Sequence, residues 1–233
     1  MINNILVEVC CGSLDDCITA ANNNIDRIEL NCALELGGLT PSLATLLSAK
    51  AYTDIPICCM VRPRTAGFCY SNSLFSLMLE DAYLLLEKGA DGIVFGFLNS
   101  DNTIDVVRTK LFVDLIHSYG KEAIFHKAFD RCPNLHLASA TLIEAQVDRV
   151  LTSGGYPAAE ILKGALVLKE LISIYAQQLT YLPGGGVTSA NVSKILKISG
   201  AKQIHMTAKA DHYDTTAYVA VDDANLKSIL ANI

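Results

Sequence analysis

The sequence predicts an α/β fold in which the whole chain, residues 1–233, forms one (βα)8 barrel of the TIM type, and three observations carry that reading. Short apolar runs rich in Ile, Val, Leu and Phe alternate with longer segments of helical period. Every second run is preceded by the same kind of lead-in. No Pro/Ser-rich linker, acidic tail or low-complexity tract divides the 233 residues, a length that such barrels routinely use as a single domain.

Taken in order, the apolar runs are Ile5–Cys10, Arg27–Leu30, Ile57–Arg62, Gly92–Phe95, Ala123–His126, Arg149–Thr152, Thr180–Leu182 and Gln203–Met206. Each is short enough for a strand, and the segments between them, such as Leu74–Lys88 and Ile104–Tyr119, repeat apolar residues at helical spacing. The even-numbered runs open with Ile25-Asp26-Arg27-Ile28-Glu29, Ala90-Asp91-Gly92-Ile93-Val94, Val147-Asp148-Arg149-Val150-Leu151 and Ala201-Lys202-Gln203-Ile204-His205. A closed barrel accounts for a repeat on alternate strands, because alternate strands fill the same interior layers. An open doubly wound sheet does not. The first strand-to-helix turn offers only Gly12, so the glycine fingerprint of a dinucleotide-binding unit is absent.

Composition narrows the function. With 18 Lys plus Arg against 24 Asp plus Glu and a formal net charge of -6, the chain lacks the broad basic surface that nucleic acid or an anionic membrane would require. The start, MINNILVEVCCGS, has neither the basic head nor the apolar stretch of an export signal, and the charge-free run from Leu171 to Ser193 is broken by Pro183 and three glycines. Neither nucleic acid nor membrane is expected as a partner, and a cytoplasmic location is. Eight cysteines, with vicinal pairs at Cys10-Cys11 and Cys58-Cys59, suit reduced thiols better than a disulfide framework.

Reactive groups in such barrels sit at the C-terminal ends of the strands, and side chains alternate in and out with a period of two. Parity then sends Glu8 inward with Cys10, Glu29 with Arg27 and Asn31, Arg62 with Met60 and Cys58, His126 with Ile124, and His205 with Gln203. Charges in a lumen are costly unless paired, so Glu8, Glu29, Arg62, His126 and His205 should converge. The convergence reads either as a structural ion-pair network or as a pocket. In a pocket, Glu8, Glu29 and His126 are the acid/base candidates, and Arg62, Arg64 and His205 bind an anionic group. Gly184, Gly185 and Gly186, after the seventh run and before a helix near Ser189, leave amides free to cradle phosphate, although tight turns also need glycine. Asp130 and Thr152-Ser153-Gly154 lie at strand ends as ligand-orienting candidates or as helix-cap and turn residues. His117, His136 and His212 fall on helices or loops. Thiols are natural ligands of Cu(I), and each is otherwise a small buried hydrophobe. Cys10 and Cys58 form the inward pair, and Cys11 could join only if the chain turns at the strand end. No C-x-x-C or H-x-x-x-H spacing suggests a structural zinc site.

Six linked segments, Glu8-Val9-Cys10-Cys11, Asp26-Arg27-Ile28-Glu29-Leu30, Gly37-Gly38-Leu39-Thr40-Pro41-Ser42, Arg62-Pro63-Arg64, Phe125-His126-Lys127-Ala128-Phe129-Asp130 and Val150-Leu151-Thr152-Ser153-Gly154, together with Pro183-Gly184-Gly185-Gly186, resemble the CutC family in order and spacing along nearly the whole chain. The resemblance implies a cytoplasmic TIM-barrel protein of copper homeostasis that binds Cu(I), often as a homo-oligomer. Cys10, Cys11 and Cys58 are then the metal candidates. The alternative is an enzyme acting on a small anionic or phosphorylated metabolite through the Glu/His/Arg pocket. The chain departs from the family pattern in places. Asn31 stands where the family commonly has Cys, with Cys32 one place later. Thr65-Ala66-Gly67-Phe68 replaces a usual Gly-Gly-Asp-Phe, Lys127 replaces Arg, and the chain is short at its end.

Overall fold

Eight parallel strands surround a common axis in the structure, a computed structural model that describes residues 1–233. They are β1 (Leu6–Cys11), β2 (Arg27–Leu30), β3 (Ile57–Met60), β4 (Gly92–Phe95), β5 (Glu122–Phe125), β6 (Arg149–Thr152), β7 (Thr180–Pro183) and β8 (Gln203–Met206). Their order is β7-β6-β5-β4-β3-β2-β1-β8, and β7 meets β8 without a ladder of hydrogen bonds, so the (βα)8 barrel is nearly closed. The eight apolar runs are therefore the eight barrel strands, shifted by a residue or two at their ends.

The helices α1 (Leu14–Asn22), α2 (Leu43–Tyr52), α3 (Asn72–Glu87), α4 (Val106–Ser118), α5 (Leu135–Glu144), α6 (Ile161–Tyr175), α7 (Val192–Ser199) and α8 (Asp223–Leu230) form the outer ring. Local chemistry starts most of them. Ser13, Ser42, Ser71, Asp105, Asn134 and Asp222 each accept a backbone N–H from the first turn that they precede. None of these helices is long and apolar enough to cross a membrane.

The repeated lead-in has a structural cause. Asp26 accepts the Val7 N–H at 2.9 Å, Asp91 that of Ile57 at 2.9 Å and Asp148 that of Ala123 at 2.7 Å. The lead-ins to β2, β4 and β6 thus each supply a carboxylate that accepts an amide in the first two residues of the odd strand before it. At β8 Lys202 stands in the aspartate's place, and its carbonyl accepts from Leu6 of the neighbouring β1 at 2.9 Å.

Alternation splits the buried residues between two environments. Outward-facing Val7, Val9, Cys11, Ile28, Leu30, Ile57 and Cys59 pack under the helices in the main apolar core. Inward-facing Cys58, Met60, Val94 and Ile124 make a small lumenal cluster of their own. Beside them the lumen holds a buried polar group, Glu8, Arg27, Glu29, Arg149, Gln203 and His205.

One feature lies outside the eight-strand expectation. After β8 the chain forms an antiparallel hairpin, β9 (Lys209–Tyr213) and β10 (Ala217–Val221), before α8. His212, expected on a helix or loop, lies in β9. Buried Asp16 of α1 ties the hairpin to the first strand-to-helix turn, accepting from Val221 N at 2.8 Å and Gly12 N at 2.7 Å.

Candidate functional site

Register alone brings the first polar layer together. Glu8 of β1 is level with Arg27 of β2 on one side and His205 of β8 on the other. Arg27 Nε pairs with Glu8 Oε2, His205 Nδ1 lies 2.7 Å from Glu8 Oε1, and an Arg149 guanidinium nitrogen stands 4.0 Å from Glu8 Oε2. Arg27 also donates to Gln203 Oε1 at 2.8 Å. Burial by itself would raise the Glu8 carboxyl, but Arg27, the His205 hydrogen bond and Arg149 hold it well below the usual carboxylate range. For His205 burial pulls the imidazole down, and the Glu29 and Glu8 carboxylates outweigh it, so that its pKa is raised.

The next layer opens to solvent. Cys10 is the register partner of Glu29, and Cys10 Sγ, a Glu29 carboxylate oxygen and a His205 ring nitrogen all lie within 4.8 Å of one another. The Asn31 amide joins them, donating to Glu29 Oε2 at 2.8 Å and to Cys10 Sγ at 3.4 Å. Burial, and then the Glu29 charge, push the Cys10 thiol well above its ordinary value. Above these residues lies a cavity of about 490 Å³ at the C-terminal ends of the strands, with Cys10, Glu29, Asn31 and His205 in one part of its wall.

His126 lies in another part of that wall. It caps a short 3-10 turn, Lys127–Arg131, and its Nδ1 accepts the Ala128 N–H at 3.1 Å, so the ring proton resides on Nε2. Burial, followed by the nearby Arg62 charge, lowers its pKa to about 3, which keeps the imidazole neutral. Nε2 has no hydrogen-bond partner. Gly96 makes room for the ring, since a Cβ there would stand 2.3 Å from His126 Cε1. Asp130 works one step back from the cavity. It accepts from Lys127 Nζ at 2.6 Å, Thr152 Oγ1 at 2.5 Å, Ser153 N at 3.1 Å and Gly155 N at 2.9 Å, fixing the loop after β5 to the loop after β6.

Several expected site residues stand elsewhere. Cys11 follows Cys10 on a regular strand and so faces outward, in the main core beside Cys17. Cys58 does face inward, but in the apolar lumenal cluster and off the cavity wall, with an Arg149 nitrogen 3.8 Å from its Sγ. Burial pushes that thiol up to about 12. Arg62 reaches the cavity, yet its guanidinium donates to the carbonyls of Gly37 at 3.0 Å, Gly38 at 3.1 Å and Ala66 at 3.2 Å, clamping two loops. Arg64 is spent on the carbonyls of Thr65, Gly67 and Cys69 outside the cavity. Gly184 gives its N–H to Thr152 O and supports His205 from beneath, whereas Gly185 and Gly186 reach the wall. Glu8 acts through His205 and does not line the cavity. Arg149 is the member that parity reasoning passed over, although the Asp148-Arg149 lead-in repeats Asp26-Arg27 and marks both arginines as equivalent.

Comparison with known proteins agrees with this architecture. The model of the CutC family matches residues 5–210. A family protein CutC of Treponema denticola is 44% identical over 207 residues, covering 89% of this chain and 82% of the relative. One from Vibrio vulnificus strain CMCP6 is 35% identical over 216 residues, covering 93% and 86%. A crystal structure from Streptococcus agalactiae, named as a candidate copper homeostasis protein CutC, superposes with a TM-score of 0.82 at 30% identity, covering 87% of this chain and 98% of that one. More distant barrels, such as the N-(5'-phosphoribosyl)anthranilate isomerase of Pyrococcus furiosus at 13% identity and a TM-score of 0.59 (98% of each chain covered), share the fold.

Proposed function

The chain belongs to the CutC family, and from that premise we propose that it handles copper in the cytoplasm by binding Cu(I) where Cys10, His205 and Glu29 converge. The observation that carries this reading is the group of three buried ligand atoms, sulfur, nitrogen and oxygen, within 4.8 Å of one another on the cavity wall. Cu(I) favours the soft thiolate and takes the imidazole readily, while the Glu29 carboxylate offsets its charge. With Glu8 on Nδ1, His205 is left with Nε2 for the ion, the arrangement in which a carboxylate orients a ligating imidazole from behind. All eight cysteines are free, as a reducing compartment requires. Protons compete with the ion at both Cys10 and His205, because the thiol pKa and the imidazole pKa are each raised above the ordinary value. Binding therefore strengthens as pH rises.

The test is an anaerobic Cu(I) titration of the reduced protein against a competing chelator. One tight equivalent is expected in the wild type, weakened by about a hundredfold or more in Cys10→Ser and retained in Cys11→Ser. If Cys10→Ser folds by circular dichroism and competes for Cu(I) as well as the wild type does, the copper reading fails.

A further inference from the structure

The same cavity carries a second group of binding elements, on the side built by the loops after β5, β7 and β8. The backbone amides of Gly185, Gly186 and Val187 after β7, and of Thr207 and Ala208 after β8, donate to no acceptor in the protein, and all five residues line the cavity. Gly185 and Gly186 have φ of +92 and +94, a conformation that leaves successive N–H groups turned out of the chain's own hydrogen bonding. Lys127 comes up against this turn. A Cβ on Gly185 would stand 2.9 Å from its Nζ.

The ammonium is fixed in place by Asp130 Oδ2 and Ser153 Oγ, each at 2.6 Å, which leaves its third proton for a ligand. His126, 4% exposed and on the same wall, adds an uncharged N–H with no partner. Donors outnumber the acceptor sites of one carboxylate. They match the three terminal oxygens of a phosphate group, and a cavity of about 490 Å³ leaves room for an organic remainder.

We propose that this side of the cavity binds the phosphate group of a small phosphate monoester, held by the amides of the β7 and β8 loops and by Lys127. It uses other residues than the Cys10, His205 and Glu29 corner, so it stands or fails separately from the copper reading.

The experiment is an amide NMR titration of the reduced, metal-free protein with inorganic phosphate and with glycerol 3-phosphate at constant ionic strength. Saturable shifts are expected at Gly185, Gly186 and Thr207, with affinity reduced about tenfold or more in Lys127→Gln. Arg64→Gln, outside the cavity, and Cys10→Ser should bind phosphate as the wild type does. The proposal is overturned if neither compound gives saturable shifts at these amides by about 20 mM. It is overturned equally if a folded Lys127→Gln protein binds with unchanged affinity. Loss of Cu(I) binding with phosphate binding intact, or the reverse, separates the two sites.

Discussion

A Glu8→Gln change would leave Arg27 and Arg149 charged in a lumen where Glu8 is only 2% exposed. Breaking a buried pair by removing one partner costs about 3 kcal/mol or more, and urea unfolding at neutral pH should show that loss. A loss below about 1 kcal/mol would mean that the arginines find other partners. The same variant should lower the His205 pKa in an NMR titration, since the Glu8 hydrogen bond and charge help to raise it. The two groups act on stability in opposite directions of pH. His205 has a folded pKa above its ordinary 6.5, so its contribution is complete below pH 6.5 and drains away as pH rises through the folded value. Glu8 has a folded pKa below 4.5, so its contribution is complete above pH 4.5 and disappears as pH falls. His126 behaves differently from His205. Its folded pKa of about 3 against an ordinary 6.5 means that the unfolded chain binds the extra proton in between. Stability should fall by up to about 1.4 kcal/mol per pH unit on acidification through that window. His126→Gln should remove this component, and an unchanged pH profile in that variant would show the imidazole to be solvated.

Among the elements, the lead-in aspartates deserve a direct test because they explain the repeat. Removing the carboxylate in Asp148→Ala orphans the Ala123 N–H at the start of β5 and should cost about 1–3 kcal/mol in urea unfolding. A cost under about 0.5 kcal/mol would leave the repeat unexplained by hydrogen bonding. All eight strands were legible because each is an apolar run with a polar boundary, and their facing was legible because parity is set by the pleat. The β9–β10 hairpin was not. Its residues Ala217–Val221 carry strand-forming side chains, but a barrel complete at eight strands left them without an assigned partner. Arg62 and Arg64 illustrate a related limit. A guanidinium at a strand end reads as an anion binder, and only the course of the loops shows that carbonyls accept from its terminal nitrogens.

For the molecule as a whole, the family resemblance implies a homo-oligomer, and two of the outer helices carry exposed apolar side chains that an assembly would cover. Val107 and Leu111, one turn apart on α4, and Leu166 and Ile174 on α6 are all exposed apolar side chains. Sedimentation of the reduced protein at tens of micromolar should find an assembly that Leu166→Glu weakens, and a wild-type monomer would dispose of the idea. The barrel and the inward set of Glu8, Cys10, Arg27, Glu29, Cys58 and His205 could be read from the sequence, because periodicity fixes which side of a strand a residue takes, whereas Cys11, at a strand end where the chain could have turned, is placed outward only by the regular course of β1. Which inward residues meet depends on the folded arrangement of the strands. Register sets Glu8 between Arg27 and His205, and depth in the lumen separates Cys10, on the cavity wall, from Cys58, sealed among Met60, Val94 and Ile124. Those outcomes depend on strand stagger and loop course. Both are fixed by contacts between residues far apart in the chain, which no local pattern encodes.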